Sequence, residues 1–340
     1  MGPQRTIVGV DIGGTKTAAA LLRVRLPAAA ARSLTPEGTP RLEARFTAPT
    51  DASSPAGCLD GVVALLEEIL AGAGRVDAVG VGVASMVDFS RGRIVRSVNL
   101  PLNDVPLRDL LAERLGVPVV VDNDANAAAL GEAVFGAGVG SPEMLMLTLG
   151  TGVGGGIVCG GRLFRGLTGA GAELGHIIVD VNGRECPAAC PNHGCLEAYV
   201  AGPAMAAAAL AEAQAHPASA LGRALAAGVT VDGPLLTRLG LEGDPGAVAV
   251  LAGIGAYLGA GLVTLVNIFN PELVVIGGGA AAAGELLFEP ARRVLAARGL
   301  QPARDQVRIV PAALGPDAGF IGAAALALVE LYPGERRTLS

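Results

Sequence analysis

Charge is what this sequence has least of. Only 16% of its 340 residues are Asp, Glu, Lys or Arg, against 51% apolar, which excludes a disordered chain and provides for a large core. Positive charge is scarcer still. The formal net charge is −6, which gives no electrostatic reason to expect a surface for nucleic-acid phosphates, so no nucleic-acid partner is expected. Of five cysteines, Cys186, Cys190 and Cys195 fall within ten residues, a distribution that suits a metal site and not a disulfide framework; Cys58 and Cys159 read as core filler. At the N-terminus Met1-Gly2-Pro3-Gln4-Arg5 passes straight into Ile7-Val8-Gly9-Val10, with no charged leader and no apolar h-region, so a cytoplasmic location is expected. The 50 glycines interrupt the Ala, Val and Leu that form most of the apolar content, and no membrane span is expected. The Walker A spacing is also absent, since neither Gly13-Gly14-Thr15 nor residues 150–156 fit it.

What is present points to an α/β protein. At 340 residues the chain exceeds the size of a single core, so two domains around a ligand-binding cleft are expected. Apolar residues 7–10, the turn Asp11-Ile12-Gly13-Gly14-Thr15-Lys16 and apolar residues 18–22 predict a hairpin. Residues 144–149, the turn Gly150-Thr151-Gly152 and residues 153–158 repeat that plan, and the predicted strand 273–276 runs into a third turn, Gly277-Gly278-Gly279. The repetition predicts two related halves, each offering a glycine turn to a ligand. Periodicity and composition predict helices over 59–70, 106–115, 127–134, 204–213, 248–269 and 320–331, and strands over 78–83 and 117–121. Residues 23–54 read as a long surface loop with one strand at 42–47.

Three constellations can carry chemistry. Glycine turns after strands let backbone N–H groups approach phosphates, and a neighbouring Thr hydroxyl adds a donor; each turn alone is equally well a plain hairpin turn. Asp11 at the first turn can hold Mg²⁺ through water or merely cap the turn, and Lys16 is either a phosphate partner or a solvated lysine. Asp122-Asn123-Asp124-Ala125-Asn126 joins a predicted strand to a predicted helix, where α/β folds bind ligands. One of these residues is expected to cap the helix. A carboxylate there is held ionised by the helix dipole and can act as a base toward a substrate hydroxyl. Finally, His176, Cys186, Cys190 and Cys195 form a Cys₃His set of the closed, structural zinc type, with His193 as a competing ligand.

These motifs resemble the ROK family of repressors and sugar kinases, and within it the bacterial glucokinases. The resemblance rests on residues 11–16, 123–126, 149–156, the segment Gly171-Ala172-Glu173-Leu174-Gly175-His176 and the cysteine loop closing Gly194-Cys195-Leu196-Glu197. It implies the duplicated, ribonuclease H-like fold of actin-like sugar kinases, with a small domain (1–122 plus 318–335), a large one (123–317) and assembly as a homodimer or higher oligomer. It implies ATP-dependent phosphorylation of a hexose 6-hydroxyl, glucose first, with Asp124 as the base. Asn123, Glu173, His176 and Glu197 would bind sugar hydroxyls, and His176, Cys186, Cys190 and Cys195 would hold Zn²⁺. Gly13, Gly14, Thr15, Lys16, Gly150, Thr151, Gly152 and Gly154 would contact ATP phosphates, with Mg²⁺ at Asp11 and with Gly278 and Gly279 beside the adenosine.

The chain departs from the family pattern in three places. The usual Cys-x-Cys is lengthened to Cys186-Pro187-Ala188-Ala189-Cys190 and followed by Pro191, Ser85 stands where a glycine often approaches the sugar, and the loop over 23–40 is long. Rival readings are another hexose specificity (mannose, fructose or an N-acetylhexosamine), a polyphosphate donor, and a non-catalytic sugar-sensing regulator. The last carries a helix-turn-helix for which the first strand, starting near residue 6, leaves no room.

Overall fold

A computed structural model of the chain describes residues 3–25, 40–187 and 190–332, so most of the loop expected over 23–40 lies outside the described residues. In chain order the strands are β1 (Gln4–Ile12), β2 (Lys16–Arg25), β3 (Arg41–Pro49), β4 (Ala78–Val83), β5 (Met86–Asp88), β6 (Arg93–Arg96), β7 (Val119–Asn123), β8 (Met144–Leu149), β9 (Val153–Cys159), β10 (Arg162–Leu163), β11 (Leu273–Gly277) and β12 (Arg308–Pro311). The helices are α1 (Pro55–Ala73), α2 (Leu107–Leu115), α3 (Asp124–Phe135), α4 (Glu197–Val200), α5 (Gly202–Ala215), α6 (Ala220–Ala226), α7 (Gly233–Leu241), α8 (Pro245–Phe269), α9 (Glu285–Arg298), α10 (Ala303–Gln306) and α11 (Ala318–Leu331).

Two five-stranded sheets run in the orders β3-β2-β1-β4-β7 and β10-β9-β8-β11-β12. Counted from its own first strand, each reads 3-2-1-4-5. In the first, β1 pairs antiparallel with β2 and β2 with β3, while β4 and β7 continue the sheet in parallel. In the second, β9 and β10 pair antiparallel, and β11 runs parallel to both β8 and β12. The repeat visible in the two hairpins is thus a repeat of sheet topology, the duplicated plan of the actin-like fold.

By contacts the chain divides into unit 1 (Met1–Pro142, Gly156–Ala172, Ala312–Ser340) and unit 2 (Glu143–Gly155, Glu173–Pro311). In unit 1, alternation along β1 sends Val8, Val10 and Ile12 into a core with α1 and α2, whereas Ile7 packs with Phe320 and Ala324 of α11. Helix α3, expected in the large domain, belongs to unit 1, where Ala127, Leu130 and Val134 meet Ala325 and Leu326 of α11. Glycine lets α11 approach β1 and β4 closely. A Cβ on Gly9 would lie 1.9 Å from the Phe320 carbonyl oxygen, and one on Gly80 1.7 Å from that of Ala323.

In unit 2 the helix α8 is one long apolar run. Its 25 residues are long and apolar enough to cross a membrane. Its buried positions, among them Leu251, Ile254, Leu258, Leu262, Leu265 and Val266, recur every three or four residues, which is the spacing of a helix with one face on a core. Pro at the first turn and the side chain of Asp244 capping the Ala247 N–H start the helix; Asn270 in the left-handed region ends it.

Candidate active site

The parallel register brings the polar ends of three strands of unit 1 to one edge. Ile12 pairs with Val83 and Val83 with Asn123, so Asp11, Ser85 and Asn123-Asp124 all lie at the carboxyl end of the sheet. The structure divides the labour within the polar run more sharply than its sequence does. Strand β7 extends through Asp122 and Asn123, and α3 begins at Asp124, three residues before the predicted start. Asn123 is the cap: its Oδ1 accepts from the N–H groups of Ala125 (2.9 Å) and Asn126 (3.1 Å), while its Nδ2 donates to the Ser85 carbonyl (3.3 Å). Asp122 is buried, and its Oδ1 accepts from the Asn123 N–H (2.7 Å) and Asn126 Nδ2 (3.1 Å). The Asp124 carboxylate accepts from the Ala125 N–H at 2.9 Å, from its own N–H and from the Asn123 side chain, all donors of the β7–α3 junction.

At Asp124 burial opposes the expected effect of the helix dipole. Burial pushes the Asp124 carboxyl above the usual carboxylate range, and the hydrogen bonds from the Ala125 N–H, its own N–H and the Asn123 side chain only partly offset this. Asp11 is pushed up to about 6 by burial first and by the neighbouring Asp124 charge second, with Lys16 opposing. Two crowded carboxyls of raised proton affinity suit a base and a cation partner better than two freely solvated ones. The Asp11 oxygen has room because residue 319 is glycine: a Cβ there would lie 2.2 Å from Oδ2. Gly13 closes the β1–β2 turn by donating to the Lys16 carbonyl at 3.0 Å, and Thr15 and Lys16 are exposed beside it. The Ser85 hydroxyl is engaged by Ser97 Oγ at 2.8 Å, so it is the backbone of Ser85 that meets Asn123.

In unit 2 the predicted residues gather around the β8–β9 turn. Gly150 donates to the Gly152 carbonyl (2.9 Å), and Gly202 at the start of α5 donates to that of Gly150 (2.8 Å). Glu197 is buried and accepts from the Val153 N–H at 2.7 Å through Oε2, the oxygen that a Cβ on Gly152 would meet at 2.6 Å. One carboxylate oxygen is therefore occupied in holding the turn. Glu173 is exposed and opens the 3₁₀ turn that carries His176. Gly154 lies inside β9 and not in the turn. Gly278 has φ +84, and a Cβ on it would lie 2.4 Å from the Leu149 carbonyl oxygen, so this glycine is required by the backbone itself. Gly150, Thr151 and Gly279 line a cavity of about 920 Å³, whose walls include Met205, Ala206, Asp232, Thr237 and Arg238.

The ligand atoms of His176, Cys186, Cys190 and Cys195 all lie within 4.8 Å of one another. Nδ1 of His176 is 3.6 Å from Cys186 Sγ, and the Cys190 and Cys195 sulfurs are 3.9 Å apart. Tetrahedral bonds of about 2.3 Å place sulfurs about 3.8 Å apart, so the donor set and its spacing fit a four-coordinate Zn²⁺ despite the lengthened Cys186–Cys190 interval. His193 is exposed and bridges to Glu185 outside the cluster. Burial and the adjoining Cys186 and Cys190 sulfurs push the Cys195 thiol up to about 12, a crowding that a bound cation relieves. With Nδ1 turned to the sulfurs, the Nε2 edge of His176 is left for another partner.

Sequence reasoning missed two groups. Arg165 pairs with Asp122, and nothing in its glycine-rich surroundings marks it. The other is the cavity wall formed by α7, a helix not predicted from the sequence, whose available signal was Asp232 capping the Leu235 N–H with Pro234 in the first turn.

The ROK family profile matches residues 7–330. The chain belongs to the ROK family. Among ROK proteins it is 35% identical to the glucokinase of Streptomyces coelicolor over 329 residues, covering 94% of this chain and 96% of that protein. A crystal structure of the ROK glucokinase from Streptomyces griseus, in complex with glucose and AMPPNP, superposes with a TM-score of 0.78 at 35% identity, over 94% of this chain and 98% of that one. The ROK xylose repressor of Caldicellulosiruptor bescii is 32% identical over 228 residues, which are 64% of this chain and 54% of the repressor.

Proposed function

We propose that this chain is an ATP-dependent hexose kinase that phosphorylates the sugar 6-hydroxyl, with glucose as its first substrate. The observation that carries the reading is the Asp124 carboxylate at the start of α3, held by donors of its own junction and by no cation among the described residues, while Asn123 caps the helix and Asp122 pairs with Arg165. Burial raises its proton affinity, the direction that suits a general base, and such a base contributes about 10²- to 10⁴-fold in rate. Asp124 takes the proton from the attacking hydroxyl, and Asn123 orients the sugar from within unit 1. Glu173, His176 and Glu197 are its proposed hydroxyl partners within unit 2. The cavity beside Gly150, Thr151 and Gly279 takes the nucleotide, whose phosphates meet backbone N–H groups of the glycine turns. Asp11 would hold Mg²⁺ through water, and the ion would neutralise phosphate charge, while Lys16 adds a positive side chain at the neighbouring turn. His176, Cys186, Cys190 and Cys195 would hold Zn²⁺, which would make the loop rigid; with four protein ligands it would leave no site for a reacting water.

The kinase reading is supported over a sugar-sensing regulator by 35% identity to glucokinases across nearly the full length of both chains, against 32% to the xylose repressor and 25% to a ROK transcriptional regulator of known structure. A coupled ADP-release assay with ATP and Mg²⁺ across glucose, mannose, fructose and N-acetylated hexosamines tests it, with polyphosphate run as a parallel donor. Turnover highest with glucose and ATP supports the reading. Sugar binding without turnover of any hexose by either donor contradicts it and favours the regulator.

A further inference from the structure

Arg165 stands at the centre of a partly buried charge cluster in unit 1 that has no part in the chemistry described so far. Its Nε donates to Asp122 Oδ2 at 2.6 Å, its Nη2 to Glu330 Oε1 of α11 at 3.1 Å, and its guanidinium lies 3.6 Å from the centre of the Phe89 ring. The side chain of Asp122 is 2% exposed and that of Arg165 17%. The loop around the arginine is fixed as well. The Gly171 N–H donates to the Arg165 carbonyl at 3.0 Å, and Gly169, at φ +87, sits where a Cβ would lie 2.0 Å from the Val87 carbonyl oxygen.

A buried ion pair is weak evidence for stability, because an apolar replacement of similar volume often serves as well. What an arginine supplies beyond that is direction: a planar fork, held here by two carboxylates and an aromatic face, can occupy one orientation only. The carboxylate it fixes is the one whose other oxygen holds the N–H of Asn123 and the Nδ2 of Asn126. The chain of contacts therefore runs from Arg165 through Asp122 to the β7–α3 junction, and Asp124 is the next residue. Phe89, Glu330 and the 164–172 loop brace the arginine from three sides. We propose that Arg165 is a positioning residue for phosphoryl transfer: acting through Asp122, it sets the aim of the Asp124 carboxylate without touching substrate. The proposal rests on the reading of Asp124 as the base.

The test compares wild type, Arg165→Lys, Arg165→Met and the neutral double variant Asp122→Asn/Arg165→Met by kcat, equilibrium glucose affinity and melting temperature. Lysine keeps the charge but loses the fork, and is expected to stay folded with kcat lower by about 10- to 100-fold, since a misplacement of about 1 Å can cost that much. Glucose affinity should fall by less than about threefold. Arg165→Met strands the Asp122 charge and should melt well below wild type. The neutral double variant should recover much of that melting temperature while its kcat remains low. Unchanged kcat in Arg165→Lys, or a kcat that recovers together with the melting temperature in the double variant, overturns the proposal and leaves the kinase reading standing. A folded wild type that turns over no hexose overturns both.

Discussion

Replacing Asp11 by Asn should make the ligand-free protein more stable at neutral pH while impairing its proposed nucleotide chemistry. The folded chain raises this carboxyl from 3.8 to about 6 through burial and the Asp124 charge. A shift of about two units corresponds to about 3 kcal/mol, at 1.36 kcal/mol per unit. The sign follows from proton binding. Because the folded state holds the proton more tightly than the unfolded one, stability declines as pH rises from about 4 to about 6, and the full cost of the buried anion is present above that window. An amide of the same shape carries no charge to desolvate. Urea denaturation followed by far-ultraviolet circular dichroism, without nucleotide or Mg²⁺, should therefore show Asp11→Asn more stable than wild type by up to about 3 kcal/mol at pH 7.5. The gap should narrow to below about 1 kcal/mol near pH 4, where wild-type Asp11 is itself protonated. A variant less stable than wild type at pH 7.5, or a gap that does not change with pH, would refute the reasoning.

Two further outcomes are expected. Elemental analysis of unchelated protein should find about one zinc per chain, and Cys195→Ser should lose that metal and weaken glucose binding through the freed His176; a metal-free wild type that binds glucose normally would remove zinc from the account. Ala206→Trp, which places an indole in the 920 Å³ cavity, should raise the ATP KM about tenfold or more, a loss of about 1.4 kcal/mol in binding, and leave glucose affinity without nucleotide unchanged. An unaltered ATP KM would mean that the nucleotide goes elsewhere.

The fold was most legible where hydrophobic period and turn chemistry agree. Residues 78–83 and 144–149 form strands at their predicted limits, and the two hairpins led directly to two sheets of one topology. Boundaries failed where polar side chains replace water inside an element. Asp122 and Asn123 look like loop, yet they complete β7 because Arg165 and the first turn of α3 satisfy them. Helix α9 escaped notice because Pro290 falls inside it, and α6 and α10 are too short to show a period. The metal cluster was readable because its ligands lie close together in sequence. Arg165 was not, because its partners Asp122 and Glu330 are 43 and 165 residues away and only the folded sheet brings them together.

The account depends on one carboxylate more than on any other group, and Asp124→Asn tests it most directly. Asparagine preserves the size of the side chain at the first position of α3 but cannot accept the hydroxyl proton. Measured with ATP, Mg²⁺ and saturating glucose, kcat should fall by about 10²- to 10⁴-fold while glucose still binds and the melting temperature is not lowered. A variant that folds, binds glucose and turns it over within a few-fold of wild type would contradict the central claim.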